Sequence, residues 1–382
     1  MKKICAITTV EGTLESFVIP SMQVFKENGY DVTLICTMSE RFLEEYSSEF
    51  HCINVNMKRG ICIKDILIKP FEFYRIFKRE KFDYVQYATT NASFYASIPA
   101  IVCGIKTRVY CQWGLLYIGY TGIKRKIFKW IEKFLCKSAT HITVASWKNL
   151  EYAVHEGVME AAKASVIGDG GTIGVDLKVF DFDKRVSYKE EVLNEYPVLK
   201  GKTVFGYVGR LEIDKGIAEL LKAFLELDNS GFALLLIGSF DELRSNIDSE
   251  ILLNAKSKEN IIFHGFSREV QKYLSAIDIL VHPTYREGFS MVIQQAMAMG
   301  CAVITTDVPG PSEVIDPGKS GLLVSAKSVT QLAEAMDKLG RNSELQSSFS
   351  RAGLKRVKEK FNRDRMLKLT YENRVQMMND NY

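Results

Sequence analysis

Proline is scarce in this chain of 382 residues, with 8 prolines against 26 glycines, and no low-complexity segment or short-period repeat is present. Hydrophobic residues make up 47% and charged residues 25%, as in ordinary folded proteins. Disordered, collagen-like and low-complexity classes are therefore excluded. The chain is also too long for one ordinary core, so we expect two domains.

The eight cysteines form no Cys-x-x-Cys pair, and most lie in apolar runs. They are typical of reduced core residues in a cytosolic protein, not of disulfides or a zinc site. The amino terminus lacks the apolar region and cleavage site of a signal peptide, so we interpret it as a first strand. Residues 84–105 carry no charge, but polar residues and Pro99 interrupt them, which favours a buried strand and helix over a membrane span.

The net charge of +4 conceals an uneven distribution. Residues 51–150 contain 17 basic and 5 acidic side chains, whereas residues 201–382 contain 23 of each. The basic surplus therefore belongs to one stretch of about a hundred residues, which indicates an anionic partner for that stretch.

Short β-branched runs alternate with helical patterns from residue 2, and a second series of the same kind begins near residue 203. This alternation predicts an α/β protein with two Rossmann-like domains facing a cleft, where ligands bind at the carboxyl ends of the strands. We place the domains at 1–175 and 176–361. A helix at about 362–382 is expected to pack back on the first domain.

The loop at 209–216 places Gly209, Arg210, Lys215 and Gly216 where a helix begins. Glycines allow close backbone approach, and two cations at a helix amino terminus suit a diphosphate. The nucleoside-triphosphate loop Gly-x4-Gly-Lys-Ser/Thr is absent. The alternative is that both cations are ordinary solvated loop residues.

A second loop carries Glu287 and Gly288 immediately before a helix at 289–299. The backbone N–H groups of Gly288, Phe289 and Ser290 can bind phosphate oxygens, and Ser290 adds a hydroxyl. A phosphate would repel Glu287, so this carboxylate is expected to bind neutral hydroxyls, such as those of a sugar. Alternatively, Glu287 is only an acid favoured by the helix dipole.

Together, GR-x4-KG at 209–216 and EGFSMVIQQAMAMG at 287–300 resemble the nucleotide-sugar-dependent glycosyltransferases of family 4, which are retaining enzymes of the GT-B fold. Segments 8–36, 114–146 and 166–180 are similar to the branch that builds bacterial capsular polysaccharide and exopolysaccharide. The resemblance implies transfer from a UDP- or GDP-sugar to a glycan acceptor, which in this branch is linked to polyprenyl diphosphate.

By position, the resemblance implies that Arg210 and Lys215 neutralise the donor diphosphate and that Glu287 holds the sugar. It implies front-face attack without a cofactor or a required metal, with the leaving phosphate accepting the acceptor's proton. Asp181-Phe182-Asp183 looks like a metal motif of another glycosyltransferase fold, but we interpret it as a linker. Further implied donor-binding residues are Gly12, Gly209, His264, Gly265, Phe266, Gly288, Phe289, Ser290, Met291 and Val292.

Two positions depart from the family pattern. Gln295 replaces the acid that contacts the ribose hydroxyls, and an amide can still bind a diol. Trp113 replaces a histidine near the donor sugar, so it is either a stacking surface for a sugar or a core residue. None of the five histidines is a convincing catalytic base by sequence.

The segment 124–137 predicts an amphipathic helix with an apolar face and a cationic face. It is expected to lie on an anionic membrane surface near the acceptor, at the inner face of the cell membrane. The alternative is an ordinary helix with a solvated basic face. We see no motif for nucleic acid. The membrane and acceptor residues are Lys124, Arg125, Lys126, Lys129, Trp130 and Lys133.

The sequence leaves three alternative functions to consider. A nucleotide-sugar epimerase needs acid and base groups that we cannot place, and an oxidoreductase needs Gly-x-Gly-x-x-Gly after the first strand, where only Gly12 occurs. A non-catalytic subunit that retains the donor site is favoured slightly by Gln295.

Overall fold

The computed structural model describes residues 1–58, 60, 62–228, 230–240 and 247–380. The chain divides into two compact units, Met1–Ile173 with Asp364–Tyr382, and Gly174–Arg363. We call them the first and second units. Residues 381–382, at the end of the helix expected at 362–382, lie outside the described residues.

Parallel strands alternate with helices throughout the first unit, and its sheet has the order β3-β2-β1-β4-β5-β6-β7. The elements are β1 (Lys3–Val10), α1 (Glu11–Phe17), α2 (Ile19–Glu27), β2 (Asp31–Thr37), α3 (Glu40–Tyr46), β3 (His51–Asn54), α4 (Ile63–Glu80), β4 (Tyr84–Ala88), α5 (Thr90–Val102), β5 (Thr107–Gln112), α6 (Gly122–Ser138), β6 (His141–Val144), α7 (Trp147–His155) and β7 (Ala164–Val166).

The second unit repeats the pattern with the order β10-β9-β8-β11-β12-β13, again all parallel. Its elements are α8 (Arg185–Glu195), β8 (Thr203–Val208), α9 (Ile217–Glu226), β9 (Phe232–Ile237), α10 (Ser249–Lys256), β10 (Ile261–Gly265), α11 (Val270–Ala276), β11 (Ile279–His282), α12 (Met291–Ala298), β12 (Ala302–Thr306), α13 (Pro311–Val314), β13 (Leu322–Val324), α14 (Val329–Gly340) and α15 (Ser343–Lys360).

The last helix, α16 (Arg363–Asn379), returns to the first unit. Its Met377 and Met378 belong to the apolar core that α1, α2 and α3 form on one face of that sheet. Helices α4, α5 and α6 cover the opposite face. Because helices cover both faces, β1 and β4 are almost wholly buried and mostly apolar, as is usual for parallel strands. Two Rossmann-like α/β units are thus confirmed.

Two predictions about local structure meet different outcomes. The uncharged stretch 84–105 forms β4 and α5, and among the described residues no helix is both long and apolar enough to cross a membrane. The sequence pattern predicts a glycine-containing turn between the first strand and a helix at about 16–28, and this prediction is wrong, because α1 begins directly after β1 and contains Gly12. The Glu11 carboxylate favours that helix start, since it accepts a 2.6 Å hydrogen bond from Ser39 N near the positive end of the helix dipole.

Candidate donor and acceptor sites

The carboxyl ends of β8, β9 and β10 meet at three glycines in the second unit. Gly238 N donates to Gly265 O at 2.7 Å, and Gly209 N donates to Ile237 O at 2.9 Å. A Cβ atom on Gly238 would overlap the Gly209 carbonyl, whose carbon lies 2.7 Å from that position. A side chain is therefore excluded at Gly238, where the ends of β8 and β9 converge. The sequence predicted Gly209 and Gly265 as donor-site residues but did not predict Gly238. The feature that could have identified Gly238 is its position directly after a continuous apolar strand.

The position of Lys215 depends on Gly216, the residue that follows it. Gly216 has φ +73°, and a Cβ atom there would overlap the Pro283 carbonyl group, whose carbon lies 2.8 Å away. A glycine is required for both reasons. The loop 210–216 therefore lies directly against the residues that follow β11.

Polar contacts connect the loop at 210–216 to the loop at 283–288. Asp214 O accepts from Tyr285 N at 2.9 Å, and the Asp214 carboxylate lies 3.0 Å from the Arg286 guanidinium. The Tyr285 hydroxyl donates to Glu219 at 2.6 Å. These contacts were not predicted, because residues about 70 positions apart in sequence show no local pattern. They fix the relative position of the two loops that carry the candidate donor-binding groups.

The second unit brings Lys215 and Glu287 together. Lys215 Nζ donates to Glu287 Oε2 at 2.6 Å, and both side chains are mostly buried. Burial acts to raise the pKa of Glu287, but the Lys215 charge, its hydrogen bond and a hydrogen bond from the Gly288 backbone lower that pKa overall. Glu287 is thus a carboxylate at neutral pH. Arg210 is different, since its side chain is 59% exposed and its guanidinium lies 2.6 Å from Glu212.

Ser290 caps α12, as expected for a residue that precedes a helix. Its Oγ accepts from Ile293 N at 3.3 Å and lies 3.3 Å from Nε2 of His282. Burial lowers the pKa of His282 to about 4, so this imidazole is neutral at physiological pH. The Ser290 hydroxyl is therefore engaged within the fold, and phosphate binding at this helix would depend on its backbone N–H groups.

The neighbouring residues divide between core and surface. The Phe289 ring is buried 5.4 Å from the Phe361 ring, so its side chain belongs to the core. Met291, Val292 and Gln295 are half-buried and lie on one face of α12, whereas Gln294 is fully buried and donates to Ser290 O at 3.1 Å. The three half-buried residues are the ones that the sequence assigned to the donor.

His264, Gly265 and Phe266 lie at the end of β10. His264 Nδ1 is 2.8 Å from the Tyr196 hydroxyl, and its ring packs 4.0 Å from the Tyr273 ring. Phe266 is 73% exposed. Neighbouring aromatic side chains thus fix His264, while the backbone beyond it is accessible.

The first unit contains a polar pocket beside Trp113. The Trp113 ring lies 5.4 Å from the Phe17 ring and is half-buried, so it packs in the core and also lines the pocket. Arg374 of α16 lines the same pocket, and its Nη2 donates to Thr143 at 3.0 Å. This buried arginine was not predicted from the sequence, because only the packing of α16 brings it to the sheet.

Comparison with known proteins finds family matches over most of the chain. Residues 189–356 match the model of the glycosyl transferases group 1 family, and residues 3–146 match the glycosyl transferase 4-like model. The chain is a glycosyltransferase of the GT-B fold. The predicted resemblance to the family 4-like enzymes of capsule and polysaccharide synthesis is therefore confirmed.

Individual relatives cover nearly all of this glycosyltransferase. The capsular polysaccharide biosynthesis glycosyltransferase CapM of Staphylococcus aureus is 28% identical over 89% of the chain and 88% of its own length. A diphosphoundecaprenol α-1,3-galactosyltransferase of Escherichia coli is 22% identical over 83% of this chain and 82% of its own. The structure of a glycosyltransferase from Rickettsia africae superposes with a TM-score of 0.81 at 20% identity, over 99% of this chain and 98% of its own. These findings do not favour an epimerase or a non-catalytic subunit.

Helix α6 of the glycosyltransferase differs from the predicted two-faced helix. Arg125 and Lys129 both bind Glu156, at 3.1 and 2.6 Å, so they are not freely solvated cations. Ile127 and Trp130, which the sequence assigned to the apolar face, are 46% and 62% exposed. The opposite, buried side of the helix includes Glu132, which accepts a 3.0 Å hydrogen bond from Tyr110, and burial raises the pKa of Glu132 to about 7.

Proposed function

We propose that this glycosyltransferase moves a hexosyl or N-acetylhexosaminyl group from a UDP- or GDP-sugar to a glycan acceptor linked to polyprenyl diphosphate. The product would enter capsule, exopolysaccharide or O-antigen synthesis. The Lys215–Glu287 pair, 2.6 Å apart beside the amino terminus of α12, carries the proposal. It places a cation for a diphosphate beside a carboxylate for sugar hydroxyls.

The names of two relatives support the acceptor and the donor class. The Escherichia coli relative is named as a UDP-galactose-dependent enzyme that acts on a GlcNAc-diphosphoundecaprenol. A Campylobacter jejuni relative, 24% identical over 88% of both chains, is named as an N-acetylgalactosaminyltransferase acting on a diphospho-undecaprenol acceptor. Both names describe transfer of a hexose or N-acetylhexosamine to a sugar on a lipid diphosphate.

In the proposed reaction, the donor diphosphate lies beside Lys215 and the backbone N–H groups that begin α12. The bond between the anomeric carbon and the phosphate oxygen breaks, and a bond from that carbon to the acceptor oxygen forms on the same face. The acceptor's proton passes to the departing diphosphate, so configuration is retained and no protein nucleophile is needed. Arg210 and Lys215 stabilise the negative charge that develops on the diphosphate, and no metal ion is required for that.

Glu287 has a separate task in this scheme. Its lowered pKa keeps it charged, and Lys215 holds its carboxylate at a fixed position. A fixed, ionised carboxylate accepts hydrogen bonds from sugar hydroxyls. His282 is buried and neutral, so it supports Ser290 and does not remove a proton from the acceptor.

The proposed place of action is the inner face of the cell membrane, where a polyprenyl-linked acceptor would be embedded. Lys124, Lys126 and Lys133 of α6 are exposed and would meet anionic lipid, whereas Arg125 and Lys129 are bound to Glu156.

Radiolabelled UDP- and GDP-sugars, each incubated with purified enzyme and a panel of polyprenyl-diphosphate-linked sugars, test the proposal. We expect label in the lipid-linked product for one donor, with the anomeric configuration of the donor as measured by NMR. An inverted product would contradict the front-face mechanism. Transfer from none of the donors to any acceptor in the panel would contradict the proposed function.

A further inference from the structure

The outer faces of α4, α5 and α6 have an unusual composition. These helices cover one face of the first sheet, and α5 packs against both α4 and α6. Over the three helices, all of whose residues the structure describes, ten exposed residues are apolar, eight are basic, one is glycine and none is acidic. The most exposed acidic side chain of these helices is that of Glu72 in α4, which is 38% exposed and paired with Lys69 at 2.8 Å. The apolar residues are Ile63, Leu67, Ile68, Phe71, Ile98, Ile101, Val102, Ile123, Ile127 and Trp130, and the basic ones are Lys64, Arg75, Lys78, Arg79, Lys124, Lys126, Lys133 and Lys137.

Exposure of these apolar side chains is extensive. Phe71 is 72%, Leu67 65% and Val102 65% exposed, and Ile123 of α6 reaches 76%. Ten exposed apolar side chains on three neighbouring helices of a folded protein indicate an interaction site.

Other helices of the same chain have ordinary solvent-facing surfaces. The exposed positions of α3 are Glu40, Arg41, Glu44 and Glu45, and those of α15 are serines and charged residues of both signs. The excess of basic and apolar residues is therefore a local property of the α4–α5–α6 face.

We propose that the α4–α5–α6 face binds the anionic surface of a lipid bilayer, with its apolar side chains inserted at the boundary between headgroups and acyl chains. Cations that flank apolar side chains match anionic headgroups above an apolar interior. A second copy of this chain is a poorer match, because it would bring eight cations against eight others. This contact surface rests on the membrane location proposed for the enzyme, and it adds the insertion of apolar side chains to electrostatic attraction.

Binding to vesicles, measured by flotation, tests this surface without any sugar substrate. We expect the wild type to bind vesicles of phosphatidylcholine with 30% phosphatidylglycerol and to bind pure phosphatidylcholine vesicles much more weakly. The double substitution Leu67→Glu with Phe71→Glu should weaken binding by about tenfold or more. A matched control is Val186→Glu with Leu253→Glu, since these exposed apolar residues of the second unit are 70% and 69% accessible and lie outside the face.

Salt separates apolar insertion from purely electrostatic attraction. Raising the salt concentration to 0.5 M should reduce wild-type binding but leave a measurable fraction bound, because inserted apolar groups are not screened. The Trp130 ring, 62% exposed, should show a blue-shifted emission on vesicle addition, and Trp130→Phe should remove that shift. Complete release by salt with no spectral shift would overturn insertion.

Transfer to a water-soluble, short-chain acceptor distinguishes this proposal from the proposed function. The Leu67→Glu, Phe71→Glu variant should retain wild-type transfer to that acceptor, and loss of transfer would show that the face belongs to the catalytic machinery instead. Vesicle binding without any transfer would contradict the proposed function alone. If the wild-type protein does not bind anionic vesicles, the proposed membrane-binding face is wrong. The same conclusion follows if the wild type sediments as a dimer that the two substitutions dissociate.

Discussion

Replacing Gly216 with alanine tests the claim that backbone packing positions Lys215. The new Cβ atom would occupy a left-handed backbone position at φ +73° and overlap the Pro283 carbonyl group. Left-handed backbone costs a non-glycine residue about 1 kcal/mol, and overpacking of a rigid neighbour adds about 1–3 kcal/mol. We therefore expect Gly216→Ala to lower the free energy of unfolding by about 2–4 kcal/mol. The loop must also shift, which would draw Lys215 away from Glu287.

Gly318→Ala is the matched control. Gly318 has nearly the same φ, +76°, but nothing lies within 4 Å of the position that its Cβ atom would occupy. Urea unfolding should show a loss of only about 1 kcal/mol for this variant. Titration with nucleotide sugars should show weakened donor binding for Gly216→Ala alone. Equal destabilisation of the two variants, with equal donor binding, would refute the argument that Gly216 sets the position of the loop.

Three further predictions concern the donor site. Glu287→Gln should reduce transfer by about 100-fold, since a neutral amide binds sugar hydroxyls less strongly, while circular dichroism remains that of the wild type; full activity would remove Glu287 from the mechanism. Folding lowers the pKa of His282 from 6.5 to about 4, so the free energy of unfolding should decline by about 3 kcal/mol as the pH falls from 6.5 to 4. In urea unfolding at several pH values, His282→Gln should remove this part of the pH dependence. Gln295→Glu restores the acid that the family pattern has, and should lower the donor KM about fivefold in steady-state kinetics; an unchanged or raised KM would contradict a ribose contact.

The fold was largely predictable because it depends on local patterns. Each buried parallel strand is a short apolar run, such as β9 at Phe232–Ile237, and each is followed by a helical pattern. The start of α1 at Glu11 was not predicted, and there the Glu11 carboxylate accepts a hydrogen bond from Ser39 in a different loop. A single-sequence pattern contains no information about such a contact.

The donor site was predictable only as a set of residue types. Sequence motifs placed Lys215 and Glu287 in two loops, but they did not show that the two side chains form an ion pair. The partners Asp214 and Arg286 that hold the loops together were missed for the same reason. On α6, periodicity alone could not reveal that Glu156 of a neighbouring segment binds Arg125 and Lys129.

Thermal unfolding of the wild type and of Lys215→Met, each with a panel of UDP- and GDP-sugars, tests the central claim most directly. We expect one nucleotide sugar to raise the melting temperature of the wild type, and Lys215→Met to lose most of that rise because it lacks the cation for the diphosphate. No rise with any nucleotide sugar, or an equal rise in the two proteins, would contradict a donor site built on Lys215 and Glu287.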